Sequence, residues 1–440
     1  MKLKTFRGGV HPLYAKELTS HKSIREMKAP SILVVPLQQH IGAPTKAVVK
    51  PGDEVLMGQV IGETDQPVSA KVHSPVSGKV IAIEPRPHIS GRSVLSVVIE
   101  NDEQDRWVKL DTHFDPIQLS REEILAKIFE AGIVGMGGAA FPTSVKLKPP
   151  GQAKIDFLII NGSECEPYLT ADHRMMIESP DDVILGAKLL AKAVGASKII
   201  IGVEDNKLDA IKVLEEKKGS DAISIVALDT KYPQGGEKQL IKALTGREVP
   251  SHGLPFQVGV IVHNIGTAIA TVEATRDGRP LIGRVVTVTG SGVSEPDNLY
   301  VRIGTPIKDV IEACGGFNGE PGKVIIGGPM MGLAQFDLDA PIMKATGGVL
   351  VFTQDETVQY DPMPCIKCSR CVDVCPAYLL PLRLEKYGMY DLWDEAADYG
   401  AMDCIECGCC TYICPSKRHL LHWIRLAKNE IVSAQRRQNS

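Results

Sequence analysis

At 440 residues the chain exceeds one ordinary hydrophobic core, so about three or four domains are expected. Its 44% hydrophobic and 23% charged residues are those of a globular protein, and a net charge of -4 without a basic stripe gives no reason to expect a nucleic-acid partner. No run approaches the roughly eighteen apolar residues of a bilayer span, and Met1 to Gly9 lacks the apolar core of a secretory signal.

From Ala29 to about Glu100 the text is β-rich, with strands expected at Ile32 to Val35, Ala47 to Val49, Val80 to Ile83 and Val94 to Ile99. Pro51-Gly52 and Ser77-Gly78 supply the turns. The wording Val49-Lys50-Pro51-Gly52-Asp53 and His73-Ser74-Pro75-Val76-Ser77-Gly78 resembles the barrel-sandwich hybrid of biotinyl and lipoyl domains. Gln66 stands at the hairpin tip where lipoyl domains carry their modified lysine, so docking or support is expected here and not a swinging arm.

Between Asp111 and Gly278 the pattern turns α/β. Arg121 to Glu130 and Val183 to Val194 have helical periodicity, while Asp156 to Ile160 and Lys198 to Val203 read as buried strands. Such alternation implies a Rossmann-like central sheet whose ligands collect beyond the carboxyl ends of its strands. Four polar or glycine-rich stretches fall at suitable places.

The first is Gly135-Met136-Gly137-Gly138-Ala139-Ala140-Phe141-Pro142-Thr143. Its glycines match the dinucleotide fingerprint by spacing, but a helix precedes them and Phe141-Pro142 follows, so the ordinary strand-to-helix fingerprint is rejected. What remains is a loop whose free N–H groups suit an anion or a flat ring, with Lys146 near enough to meet phosphate. The second, Asn161-Gly162-Ser163-Glu164-Cys165-Glu166-Pro167, puts an amide and two carboxylates at the end of a strand, where ribose hydroxyls or a nicotinamide amide would donate to them. The third, Tyr232-Pro233-Gln234-Gly235-Gly236-Glu237-Lys238, joins glycines to an acid. The fourth, Val262-His263-Asn264-Ile265-Gly266-Thr267, places polar donors before an apolar helix, a seat for phosphate.

Leu281 to Gly328 leans to β again, with strands at Arg284 to Thr289 and Lys323 to Ile326 and a helix at Ile307 to Ala313. It looks like a small ββαβ unit of the SLBB type. After Gln354 come two cysteine runs, Cys365, Cys368, Cys371, Cys375 with Pro376, and Cys404, Cys407, Cys410, Cys414 with Pro415. In the bacterial ferredoxin arrangement three thiolates of a run hold one [4Fe-4S] cluster and the fourth reaches the other. Cys365, Cys368, Cys371 and Cys414 are therefore expected on one cluster, and Cys404, Cys407, Cys410 and Cys375 on the second. A zinc ribbon would show paired cysteines and not runs of four. Cys409 breaks the spacing and is expected to be no ligand, and Cys165 and Cys314 are expected as plain buried thiols in a reducing cytoplasm. The basic, apolar-faced helix His419 to Lys428 is expected to pack on its own domain.

The four stretches, followed by a small β unit and a cluster tail, resemble the flavin-carrying, NADH-oxidising subunit of respiratory complex I from about Glu122 onwards. That resemblance implies Gly135, Gly137, Gly138, Lys146, Asn161, Glu164, Glu166, Gly236, Glu237, Asn264 and Thr267 as contacts to FMN and NAD(H). With FMN on the Gly135 to Gly138 loop, NAD(H) is expected to stack over it near Phe141, Glu164 and Glu166. Ser163, Lys238 and His263 depart from the complex I pattern. With Phe6-Arg7-Gly8-Gly9-Val10-His11-Pro12 at the start and NGSECEPYLTAD over Asn161 to Asp172, the whole chain is similar to the RnfC family.

The family resemblance implies a multidomain α/β protein. Residues 1–110 would hold an N-terminal arm and a lipoyl-like barrel-sandwich hybrid, 111–278 a Rossmann-like FMN/NAD(H) domain, 279–353 an SLBB β-grasp-like unit, and 354–440 a helical ferredoxin-like domain with two [4Fe-4S] clusters. It implies a subunit of a membrane-bound ferredoxin:NAD+ oxidoreductase, the Rnf complex, coupled to Na+ or H+ transport. The subunit would be peripheral, on the cytoplasmic face, with partners among the Rnf membrane subunits, including a ferredoxin-like iron-sulfur subunit, and with ferredoxin reached indirectly. Hydride would pass between NAD(H) and FMN, and single electrons between FMN and the clusters, with no protein acid or base in the hydride step and Glu164 and Glu166 orienting. A soluble reductase on the same plan, such as a cobalamin reductase, and a non-catalytic iron-sulfur docking subunit are the competing readings.

Overall fold

The computed structural model describes residues 3–358 and 360–438. In the N-terminal β unit, Ile32–Pro36, Ser93–Asn101, Gly78–Pro87 and Glu54–Val55 pair antiparallel in that order, facing a second sheet of Lys46–Ala47, Val60–Glu63 and Val72–His73. Leu33, Val35, Ile61, Val72, Val97 and Ile99 are buried together between them. In the sheet's long strands the period-two alternation puts these residues on one face.

The residues before Ala29 pair with other units. Lys4 and Val10 bridge to Leu228 and Tyr232, and Ile24–Glu26 adds a parallel strand beside Asp297–Arg302. A three-residue strand with largely exposed side chains carries no readable alternation, so in sequence the arm merges with the β unit that follows it.

Four parallel strands form the middle sheet, in the order Ile223–Leu228, Lys198–Glu204, Phe157–Gly162, Val260–Asn264. Both faces are covered, which explains the near-continuous apolar runs. Leu158, Ile160, Ile201 and Val203 share a core with helices Pro180–Val194 and Ile265–Arg276, while Ile159, Ile200 and Val262 pack with helix Glu237–Thr245. Helix Arg121–Glu130 begins with a reciprocal capping box between Ser120 and Glu123, as its Ser-x-x-Glu text dictates.

The third unit is a six-stranded sheet in the order Ile24–Glu26, Asp297–Arg302, Gly283–Thr289, Gly348–Thr353, Pro321–Ile326, Leu333–Gln335, with helix Ile307–Glu312 against it. The last unit is helical. Pro381–Met389, Trp393–Asp398 and Leu420–Gln438 bury Leu384, Ala396, Ile424, Ala427 and Ile431 together, so the basic tail helix packs on its own domain as expected. No helix among the described residues is long and apolar enough to cross a membrane.

Candidate functional site

The parallel register sets Asn161 beside Asn264 at the carboxyl edge of the middle sheet. Asn264 ends its strand and caps helix Ile265–Arg276, its Oδ1 accepting from Gly266 N at 2.8 Å. One turn in, the buried Thr267 Oγ1 accepts from Met136 N at 3.0 Å, which ties the glycine loop to the start of that helix. Gly135 N donates to Phe141 O at 2.8 Å and closes the loop on itself. Gly137 lies against Asn264: a Cβ there would sit 3.4 Å from the asparagine Cβ. Gly138 has φ +119° with nothing within 4 Å of its Cβ position, so the loop presents open backbone to a ligand. The β unit also touches this loop, Ile41 N donating to Ala140 O at 3.3 Å.

Opposite, Lys146 Nζ pairs with Glu237 Oε1 at 2.7 Å, and Asn161 Nδ2 donates to Gly235 O at 2.9 Å. These bonds gather the first three stretches, and Asn264 and Thr267 bring in the fourth. Phe141 is half-buried at the end of the loop. Ser163 Oγ and His263 Nε2 are buried without a hydrogen-bond partner, and burial holds the His263 imidazole well below its usual range, hence neutral. A loop with an open backbone face, a lysine and flanking amides fits a flavin phosphate and ring.

The two acids of the strand-end loop are engaged inside the protein. Glu164 accepts from Asp172 N at 2.7 Å and His173 N at 3.1 Å, over the start of helix Ala171–Glu178. Glu166 accepts from Met330 N at 3.1 Å and Met331 N at 2.8 Å in the third unit, and burial raises its carboxyl to about 7. Both carboxylates therefore fix the loop's shape here. The sequence passes over the groups behind them. Asp172, raised to about 7 by burial and by Glu164, accepts from Asn264 Nδ2 at 2.6 Å. The buried Lys16 Nζ donates to the carbonyls of Glu164, Glu166 and Leu169 at 2.8, 2.9 and 2.5 Å. Arg284 is buried too, donating to Lys344 O at 2.6 Å. Cations that satisfy backbone carbonyls of distant segments leave no spacing signal.

The tail carries two cavities. One is lined by Cys375, Cys404, Cys407 and Cys410, with the fully buried Cys409 also on its wall. The other is lined by Cys365, Cys368, Cys371 and Cys414. Each thus joins three cysteines of one run to the fourth of the other, the grouping that the spacing predicts and one that fits a pair of clusters. Cys365 and Cys368 are exposed, whereas Cys407 and Cys410 are buried. Cys407 and Cys409 pack with Val10, Cys165 and Tyr232, so the inner cavity abuts the turn that carries Gly235, Gly236 and Glu237. Cys165 and Cys314 are buried free thiols, as expected.

Comparison with known proteins agrees with this layout. Residues 4–104 match the RnfC barrel sandwich hybrid domain, 128–273 the Nuo51 FMN-binding domain, 285–334 the SLBB domain and 353–417 the 4Fe-4S dicluster domain. A subunit of the Na(+)-translocating ferredoxin:NAD(+) oxidoreductase complex of Acetobacterium woodii is 49% identical over 99% of both chains. This chain belongs to the RnfC family. The corresponding subunit of the proton-translocating ferredoxin:NAD(+) oxidoreductase complex of Clostridium ljungdahlii is 48% identical, covering 100% of this chain and 96% of its own. An NAD+-reducing [NiFe]-hydrogenase structure aligns with TM-score 0.52 at 21% identity over 73% of this chain and 64% of its own, a likeness of fold alone.

Proposed function

We infer that this chain is a subunit of an Rnf-type ferredoxin:NAD+ oxidoreductase coupled to Na+ or H+ translocation, with FMN, two [4Fe-4S] clusters and NAD(H) as its redox groups. The observation that carries the reading is the juxtaposition of the inner cysteine cavity with the Tyr232–Glu237 turn of the flavin domain. FMN, when bound, supplies the exchange between the paired electrons of a hydride and the single electrons of a cluster.

The chain's own residues bind and orient. The open backbone at Gly135, Gly137 and Gly138 would take the flavin, with Lys146, Asn161, Gly236, Glu237, Asn264 and Thr267 around it. Phe141 would stack on nicotinamide. Glu164 and Glu166 would act by holding the strand-end loop. NADH and NAD+ differ by two electrons and one proton, and the bound groups would supply the exchange between that pair and single electrons while the chain holds them in place. Cys404, Cys407, Cys410 and Cys375 would hold the inner cluster. Cys365, Cys368, Cys371 and Cys414 would hold the outer one, whose partner would be a ferredoxin-like iron-sulfur subunit and, beyond it, ferredoxin at the cytoplasmic face. The described helices offer no membrane span, so the ion path belongs to other subunits of the complex. We take 1–110, 111–278, 279–353 and 354–440 as the working division, with the arm at its start belonging functionally to the flavin domain.

Anaerobic purification with flavin, iron and sulfide quantified tests the assignment through two variants. Gly137→Leu is expected to lose flavin and keep iron; Cys404→Ser is expected to keep flavin and lose iron. Full flavin in the first, or full iron in the second, would overturn the corresponding site.

A further inference from the structure

We propose that the N-terminal arm, Lys4 to Lys16, is a positioning strap that fixes Cys375 and the inner cluster cavity against the Tyr232–Glu237 turn, through the close backbone approach allowed by Gly8 and Gly9. The proposal rests on the assignment of that cavity to a cluster and of the glycine loop to FMN.

The arm is bound to the flavin domain along its length. Lys4 bridges to Leu228, and Asp229 N donates to Lys4 O at 3.0 Å. Lys231 Nζ donates to Phe6 O at 2.7 Å and lies 4.4 Å from the centre of the Phe6 ring. Val10 and Tyr232 exchange backbone bonds of 2.8 and 2.9 Å. At the far end the buried Lys16 ammonium plugs into the Glu164–Leu169 carbonyls. Anchored at both ends and in the middle, the arm is part of that body.

Between those anchors the arm touches the cluster domain at the ligand run itself. Gly9 N donates to Val374 O at 2.8 Å, next to Cys375. Gly8 has φ +88°, and a Cβ there would stand 3.0 Å from both Cys375 O and Val374 O. Gly9 has φ +83°, with its Cβ position 2.6 Å from Tyr232 O. Arg7 adds a guanidinium 5.9 Å from the Tyr378 ring centre. The two glycines therefore sit where Tyr232 on one side and Cys375 on the other leave space for a bare backbone. A Cβ at Gly8 would crowd the Val374 and Cys375 carbonyls and one at Gly9 the Tyr232 carbonyl, so either side chain loosens the seat between the flavin turn and the cysteine run.

The two domains also meet directly here, Gln239 Nε2 donating to Pro376 O at 3.2 Å and Cys409 Sγ lying 3.9 Å from Tyr232 O, while Ser251 Oγ and His252 N donate to the Asp403 carboxylate farther along. Val10, an arm residue, completes the apolar cluster that Cys165, Tyr232, Cys407 and Cys409 form between them. The strap is thus interleaved with the junction and not laid over it.

The test compares Gly8→Ala, Gly9→Ala and Arg7→Ala with Leu13→Ala, a control at a side chain 88% exposed. Full protein loaded with FMN and clusters is mixed with NADH; flavin bleaching is followed by stopped flow and cluster reduction by freeze-quench EPR. Gly8→Ala is expected to bleach flavin at the wild-type rate and to reduce its clusters at least severalfold more slowly, and Gly9→Ala more slowly still. Backbone hydrogen exchange over 372–376, read without NADH, is expected to rise in both and to stay unchanged in Leu13→Ala. Unchanged cluster reduction and unchanged exchange in Gly8→Ala and Arg7→Ala would overturn the strap, even if Gly9→Ala failed to load. Full iron content in Cys375→Ser would instead remove the cavity assignment beneath it, and the strap with it.

Discussion

Thr267→Val removes the bond that ties the glycine loop to the start of helix Ile265–Arg276. Valine keeps the shape of threonine at a position with no exposed surface, so no cavity forms, but the Met136 N–H loses its acceptor at 3.0 Å. A buried donor left unpaired costs about 1–3 kcal/mol. That cost falls on the closed loop and not on the open one, whose amide water can reach. If FMN binds the closed loop, its Kd rises by up to roughly 5- to 150-fold, the same energy expressed as affinity. Thr267→Ser restores the hydroxyl and removes one methyl group, costing about 1 kcal/mol of packing with the loop bond intact. The assay is flavin-fluorescence titration of apoprotein, with amide exchange at Met136 as a second readout. Valine is expected to weaken FMN and expose the amide, and serine to stay near wild type. Wild-type affinity and a protected Met136 amide in Thr267→Val would refute the idea that this bond orders the loop.

The remaining predictions concern packing, acid sensitivity and the cysteines. Gly186→Ala drives a methyl into the Ala268 carbonyl where helices Pro180–Val194 and Ile265–Arg276 cross, so it is expected to cost about 1–3 kcal/mol of overpacking and to lower the melting temperature. A melt matching wild type would show that the crossing yields freely. His73 is buried and its imidazole is pushed down to about 3, first by burial and then by Lys344 and Lys71. The unfolded chain takes up this proton near pH 6.5 and the native protein does not, so stability is intact above that pH and is lost as pH falls towards 3, by about 2 kcal/mol at pH 5. His73→Asn is expected to narrow the difference between urea midpoints at pH 7.5 and 5; an unchanged difference would assign the acid sensitivity elsewhere. Cys409→Ser is expected to retain the iron of both clusters despite its place on the cavity wall, and loss of iron would make Cys409 a ligand.

Order of units and the cysteine grouping were legible in the sequence because both depend on local text. Helix Arg121–Glu130 has the expected bounds because its cap is written within three residues, and strand Phe157–Gly162 falls within two residues of the expected ends because its apolar run stops at a polar loop. The site was legible as a set of stretches, since glycines, an amide and acids mark the carboxyl edge of a parallel sheet. What the side chains do there was less so. Glu164 and Glu166 read as ligand contacts from position alone, yet their partners are amides at Asp172, His173, Met330 and Met331, brought near by packing of the third unit. The arm's role was hidden for the same reason. Phe6 to Val10 touches residues more than two hundred positions away, and no pattern within the arm announces Lys231, Tyr232 or Val374.

Anaerobic NADH titration of the loaded protein, with visible and EPR spectra taken at each addition, bears most directly on the central claim. NADH is expected to bleach flavin and then to generate the EPR signals of reduced [4Fe-4S] clusters, with both effects absent in Gly137→Leu. Clusters that stay oxidised while flavin is fully reduced, or that NADH reduces equally well without flavin, would contradict a path from paired to single electrons through this chain.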